Sequence, residues 1–117
     1  MSAHLSDAVE NAIIEQRHEP RLPVVRPASL EGITGELRNI SRSGAQIVCA
    51  LDSAEALRAI VNNEKLQLEM LLEEAPIVLT VRVVYAQKRE DGYAMGMRFL
   101  KSREDGRRDV IDFIDAM

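Results

Sequence analysis

Short runs of apolar and β-branched residues, separated by turn-forming residues, fill the chain from Ser29 to Leu100 and limit the folds it can adopt. Runs of this length, bounded by Gly, Pro, Asn, Asp or Ser, are typical of β-strands. The last two runs are joined by a charged turn that ends in Asp91-Gly92, which is a strong hairpin signal. We expect an antiparallel β-meander. Its strands are predicted near residues 29–39, 44–51, 65–72, 77–86 and 93–100.

The run at 44–51 illustrates how such a strand would lie in a barrel wall. Ala45, Ile47 and Cys49 alternate with more polar or smaller residues, so that one face of the strand is apolar and the other is mixed. Cys49 is the only cysteine, which excludes an internal disulfide and a cysteine-rich metal site. We therefore interpret it as a small apolar residue inside a strand.

Two helices are predicted outside these runs. Asp52 is placed to cap a helix over residues 53–62, with Glu55 reaching back to its first turn. A second helix closes the chain, because Ser102 and Asp105 resemble a capping box. We expect this helix to plug the open end of a barrel. Its apolar face would consist of Val110, Ile111, Phe113, Ile114 and Met117.

The first part of the chain has a different character. Apolar residues at helical spacing predict a short helix over residues 6–15, so we assign 1–16 to an N-terminal arm or helix and 17–117 to one domain. The following segment, 19–27, contains three prolines, which forbid a helix and favour extended chain. We interpret it as an approach arm. The prolines are Pro20, Pro23 and Pro27.

Length and composition limit the class of protein. A chain of 117 residues with 46% apolar content can bury one core without disulfides or metals. No apolar run approaches the roughly 20 residues that cross a bilayer. Residues 1–16 also lack the basic start and apolar core of a signal peptide. We expect a cytoplasmic protein without membrane insertion.

The charge of the chain argues against a nucleic acid polymer as the partner. The net charge is −4 and the pI is about 5.2, whereas polymer binding depends on excess positive charge. The first part of the chain nevertheless contains several arginines, which could form a small basic pocket for a small anion. They are Arg17, Arg21, Arg26, Arg38 and Arg42.

Two short motifs supply the groups that such a pocket requires. Arg17 and Arg21 form R-x-x-x-R, and Asn39, Ser41 and Gly44 form N-x-S-x-x-G. Arginine can pair with a phosphate, donate two bonds to the acceptor edge of guanine, or stack on a base. In extended chain, arginines four residues apart lie on one side, about 13 Å apart at the backbone, and can clamp a compact dinucleotide. The second motif would form a shallow cup, since Asn39 and Ser41 share a side and Gly44 lets the backbone bend.

With Tyr93, Gly96 and Phe99 of the last run, these motifs make residues 15–117 resemble the PilZ domain family, bacterial modules that bind cyclic di-GMP through RxxxR and [D/N]xSxxG. The resemblance implies a mainly β fold, an antiparallel split β-barrel of six or seven strands with a C-terminal helix and a short inserted helix. It implies cyclic di-GMP as the ligand, with no other cofactor and no metal. The implied ligand-binding residues are Arg17, Arg21, Asn39, Ser41, Arg42 and Gly44, with His18, Ser43 and Gly96 as further candidates.

Two positions depart from the family pattern. Many members carry an arginine directly before the first motif, where this chain has Gln16. Arg26 or Arg42 could supply the missing cation, and the number of ligand molecules bound stays open. Asn39 keeps the acceptor of an aspartate but not its charge, and charged acceptors form bonds roughly twice as strong. We therefore expect weaker binding than in an Asp variant. Tyr85, where the family often places a side chain near the ligand, is interpreted as a rim or core aromatic.

Three functions fit these observations to different degrees. The favoured one is a receptor or adaptor whose arginine-bearing arm changes conformation when it binds cyclic di-GMP and which signals to an unidentified protein partner. The alternative is an interaction module of the same fold that does not bind the ligand. An enzyme is disfavoured, because the only histidines, His4 and His18, lie in the tail and the arm, without the set of Asp, Ser or Cys that a nucleophilic or metal site requires.

Overall fold

The computed structural model describes residues 20–51, 53–100 and 106–117. Within these ranges the chain forms a closed antiparallel barrel with the strand order β1-β2-β3-β6-β5-β4 and two helices. The expected mainly β barrel is confirmed, with six strands. The strands are β1 (Leu22–Leu30), β2 (Ile33–Ile40), β3 (Gly44–Cys49), β4 (Leu66–Leu71), β5 (Pro76–Arg89) and β6 (Gly92–Phe99); the helices are α1 (Ala54–Val61) and α2 (Gly106–Asp115).

The first hairpin differs from the prediction of one strand at 29–39 behind an extended arm. β1 and β2 are joined by Glu31 and Gly32, whose φ angles of 50° and 81° both lie in the left-handed region. Such a pair makes the tight turn that matches the twist of a hairpin. The prediction was wrong because the extended segment 19–27 was interpreted as an approach arm, whereas most of it belongs to a strand of the barrel. Pro23 and Pro27 are tolerated because β4 pairs with only the last three residues of β1, so the part that contains them pairs with β2 alone.

The strand order also departs from the predicted meander. β1 to β3 and β4 to β6 each pair in sequence order, but β3 pairs with β6 and β1 with β4. The chain crosses from β3 to β4 through α1, so these two consecutive strands are not neighbours. The meander expectation is therefore wrong at this crossing. The predicted inserted helix is what carries the chain across it, and Ile60 of this helix joins the core.

The other predicted strands correspond to β3 through β6, with ends shifted by up to three residues. In β4, Leu66, Leu68 and Met70 are buried and the residues between them are exposed, as expected for a wall with one face in the core. Cys49 is fully buried in β3, and this burial raises the pKa of its thiol to about 11. The thiol is therefore neutral at ordinary pH, in agreement with its interpretation as an apolar core residue.

Helix α1 begins one residue later than predicted. Its N-cap is Ser53, whose hydroxyl accepts a hydrogen bond from the amide of Ala56 at 3.1 Å. Serine is a strong N-cap because this bond satisfies an amide that has no partner within the helix. Asp52, the predicted cap, lies outside the described residues, as do the predicted helix at 6–15 and the capping box at 102–105.

Helix α2 packs against β5, and its buried Val110 and Phe113 join the core, as expected of a closing helix. Gly106 allows the helix to begin in contact with the strand backbone, because a Cβ there would lie 2.2 Å from the carbonyl oxygen of Val78. Met117 was predicted on the apolar face, but it lies beyond the helix end and is 66% exposed. Among the described residues, neither helix has the length and apolar content needed to span a bilayer.

Candidate functional site

The second motif forms the tight connection between β2 and β3. The amide of Ser41 donates to the carbonyl oxygen of Gly44 at 2.8 Å, and the Ser41 hydroxyl donates to the same oxygen at 3.3 Å. The carbonyl oxygen of Ser43 accepts from the amide of Phe99 at 2.8 Å, which fastens the connection to β6. Glycine is required at position 44, because a Cβ there would lie 2.2 Å from the carbonyl oxygen of Met97. Ser41 and Gly44 thus shape the turn itself.

A row of side chains crosses the outer face of the barrel from Asn39. The amide nitrogen Nδ2 of Asn39 donates to Oε1 of Gln46 at 2.9 Å, and Nε2 of Gln46 donates to the Tyr85 hydroxyl at 3.1 Å. The strand register places Gln46 opposite Gly96 and Gly96 opposite Tyr85. A Cβ at Gly96 would lie only 2.0 Å from the Tyr85 ring, so this ring packs directly on the backbone of β6. Gly96 therefore supports the ring above it.

Arg21 of the first motif lies beside the second motif. It directly precedes β1, in which Leu22 pairs with Ile40 and Pro23 pairs with Asn39. Side chains alternate between faces along a strand, so Arg21 and Pro23 share the outer face with Asn39, while the neighbouring Ser41 is buried. Arg21 is exposed and forms no ion pair with any residue in the described ranges. Arg17 and His18, the other candidates near this motif, lie outside those ranges.

Arg42 points from the β2–β3 connection towards α2. Its Nη2 contacts Oδ1 of Asp115, in the last turn of that helix, at 2.5 Å. Both side chains are about half exposed, so water weakens the attraction between them. The guanidinium is therefore held by an exposed ion pair that another anion can replace.

The other two arginines of the predicted basic pocket have different partners. Arg38 pairs with Glu36 and Asp91, and the bond to Asp91 raises the pKa of the guanidinium while it lowers the pKa of that carboxyl. Arg26 donates from Nε to the carbonyl oxygen of Leu72 at 3.2 Å. Four of the five arginines proposed for the pocket lie in the described ranges, and of these Arg21 lies beside the second motif and Arg42 belongs to it.

A family model for the PilZ domain matches residues 15–116. The chain belongs to the PilZ domain family. A solved structure of the same fold is the Bacillus subtilis inhibitor of motility MotI/DgrA, with a TM-score of 0.67 and 17% sequence identity over 86% of this PilZ chain. The match covers 50% of that protein, so this chain spans about half of its length. No curated protein matches the sequence significantly. PilZ domains are generally cyclic di-GMP-binding modules and adaptors.

The PilZ barrel also brings together residues that the motifs alone did not indicate. Gln46 and Tyr85 belong to the row that begins at Asn39, and Tyr85, which was interpreted as a rim or core aromatic, is 40% exposed on the outer face. Arg98 lies opposite Gly44 on β6, and Arg82 lies opposite Arg98 on β5. The pairing of β3 with β6 was the missing information, because these two strands are far apart in the sequence. In the described part of the chain, no cluster of His, Cys, Asp or Glu could hold a metal ion.

Proposed function

We propose that this PilZ domain is a receptor for cyclic di-GMP that passes the binding event on to a protein partner. The observation that supports it best is the pairing of β1 with β2, which brings Arg21 to the outer face beside Asn39 and Ser41. Two motifs, the second of which begins eighteen positions after Arg21, thereby supply one surface with a guanidinium and an amide. A phosphorylated guanine presents partners for both groups, acceptors on its phosphate and Hoogsteen edge and donors on its Watson–Crick edge.

In this proposal Asn39 binds the Watson–Crick edge of guanine through its Oδ1 atom. Its Nδ2 group donates to Gln46, which in turn donates to Tyr85. No donor in the described ranges contacts its Oδ1 atom, so this oxygen is available to the N–H groups of a base. The exposed Tyr85 ring adds an aromatic surface on which a base can stack. Ser41 supports the turn, and a direct contact with the ligand would require it to exchange its bond to Gly44.

The arginine-bearing arm would couple ligand binding to a change in conformation. Arg21 precedes the part of β1 that pairs with β2 alone, so few contacts restrain it. In this proposal Arg17 joins Arg21 on the ligand, and the ordered arm presents a new surface to the partner. Binding, without turnover of the nucleotide, is the expected activity.

Isothermal titration with cyclic di-GMP tests the proposal. We expect saturable binding by the full chain, and Arg21→Ala should weaken it by about 10-fold or more, since a charge-assisted hydrogen bond contributes about 1.5–3 kcal/mol. Arg58→Ala is the matched control, because it removes an exposed arginine from α1, outside both motifs. The proposal fails if the unmodified chain gives neither heat nor thermal stabilisation at tens of micromolar ligand.

A groove of about 460 Å³ favours the second candidate function, an interaction module without ligand binding. It lies between α2 and the turn before β5, and its lining includes no described residue of either motif. A partner that binds equally well with and without cyclic di-GMP, and equally well to Arg21→Ala, would support this candidate. The groove combines apolar side chains with four carboxylates, and its lining includes Leu72, Phe113, Glu73, Glu74, Asp109 and Asp112.

A further inference from the structure

Two arginines lie directly opposite each other on the outer face of the barrel. Arg98 of β6 pairs in register with Arg82 of β5, and both side chains are exposed. Neither forms an ion pair with a carboxylate in the described ranges. Like charges at directly opposed positions of a sheet destabilise it. The fold therefore retains a local repulsion that a neutral side chain at either position would remove.

This arginine pair adjoins the surface formed by the second motif. On β3, Arg98 lies opposite Gly44, the last residue of that motif. Along β6, Arg98 is two residues from Gly96, so their Cα atoms are about 7 Å apart and on the same face. Gly96 supports Tyr85 in the row that begins at Asn39. The two guanidiniums thus lie on the outer face of the barrel, in the row of residues next to the one that contains Gln46, Gly96 and Tyr85.

We infer that Arg98 and Arg82 form a phosphate-binding subsite for the second phosphate of a cyclic dinucleotide bound at this surface. The inference rests on the proposed function and adds the residues that complete the site. A cyclic dinucleotide carries two phosphates, and among the described residues of the two motifs Arg21 is the exposed arginine without an ion pair that can bind one of them. Gln16 supplies no cation where many PilZ domains have an arginine, and a pair of guanidiniums on the opposite side of the cup offers replacement charge. The bound phosphate offsets the repulsion between the two arginines.

Neutral variants separate this role from a structural one. Arg98→Gln and Arg82→Gln should each weaken cyclic di-GMP binding by about 5- to 10-fold in titration calorimetry. In the absence of ligand, the same variants should unfold at a Tm no lower than that of the unmodified chain, and up to about 3 °C higher, because the repulsion is removed. Arg98→Lys keeps the positive charge but loses the paired donors of the guanidinium. Its affinity for cyclic di-GMP should therefore lie between that of the unmodified chain and that of Arg98→Gln. Arg58→Gln, on α1, controls for the loss of one positive charge.

The outcomes distinguish this inference from the proposed function. If Arg21→Ala abolishes binding while Arg98→Gln and Arg82→Gln bind like the unmodified chain, the site exists and the phosphate subsite does not. Loss of affinity together with a lowered Tm would mean that the arginines support the fold, which also overturns the inference. An equal loss of affinity in Arg58→Gln would show that the effect comes from the net charge of the protein and not from a phosphate subsite, which also overturns the inference. Absence of any binding by the unmodified chain refutes the proposed function, and the subsite with it.

Discussion

Gly96 allows an aromatic ring to occupy the space that any other residue would fill with its own side chain. The Tyr85 ring lies 2.0 Å from the position of a Cβ at Gly96, and the Tyr85 hydroxyl accepts the bond from Gln46. Gly96→Ala should therefore displace the ring and break the row that orients Asn39. Overpacking of this kind costs about 1–3 kcal/mol of unfolding free energy, measurable by urea denaturation.

The same substitution should have the opposite sign once the ring is absent. Gly96 has no left-handed φ, so in a Tyr85→Ala background an alanine at this position causes no backbone strain. The alanine also reduces the conformational entropy of the unfolded chain, which favours the folded state. We expect Gly96→Ala to be neutral or slightly stabilising there. A destabilisation of equal size in both backgrounds would show that the ring is not the cause.

At the scale of elements, one ion pair joins the β2–β3 connection to α2. Asp115 lies in the last turn of α2, a position where the helix dipole disfavours a carboxylate, and that turn contains no basic residue. Arg42 supplies the compensating charge from outside the helix. If Arg42 also contacts the ligand, the two anions compete for it. Asp115→Asn should then increase cyclic di-GMP affinity about 2- to 5-fold, the range expected for release of an exposed pair.

Two control variants make this prediction specific. Asp112→Asn removes a charge from the same helix, and this aspartate forms no ion pair within the described ranges. It should leave the affinity nearly unchanged. In an Arg42→Ala background, Asp115→Asn should lose its effect, because no guanidinium remains to be released. Equal gains from Asp112→Asn and Asp115→Asn would attribute the change to net charge alone.

The sequence was most informative where local chemistry decides the structure. The alternation in β4, the hairpin before Gly92 and the apolar residues of α2 follow from residue spacing, and all are present. β1 was missed because its proline-containing part was interpreted as an extended approach arm, and its pairing with β2 could not be read from local spacing. The β3–β6 neighbourhood is a long-range pairing, which no local pattern encodes. Both motifs were recognisable because each is local in the sequence, whereas the position of Arg98 opposite Gly44 follows only from this long-range register.

At the scale of the whole molecule, the barrel closes unevenly. β4 pairs with β1 only from Ala28 to Leu30, while the N-terminal half of β1 is held by β2 alone. Strand segments with one partner open more readily than segments paired on both sides. The weakly held half of the strand leads directly from Arg21, so a ligand that bridges Arg21 and Asn39 would fasten it to β2 from outside.

Hydrogen exchange with and without saturating cyclic di-GMP would reveal such fastening. We expect peptides that cover residues 22–27 to exchange at least about 10-fold more slowly with ligand, because at 100 times the Kd a ligand contributes up to about 2.7 kcal/mol against opening. The paired region of β4 and β5 is the internal reference and should change much less, since its opening does not break the site. Arg21→Ala should remove the difference between the two regions. Equal protection of the whole barrel would contradict this prediction. It would mean that the ligand stabilises the fold as a single unit and does not specifically hold the N-terminal half of β1 to β2.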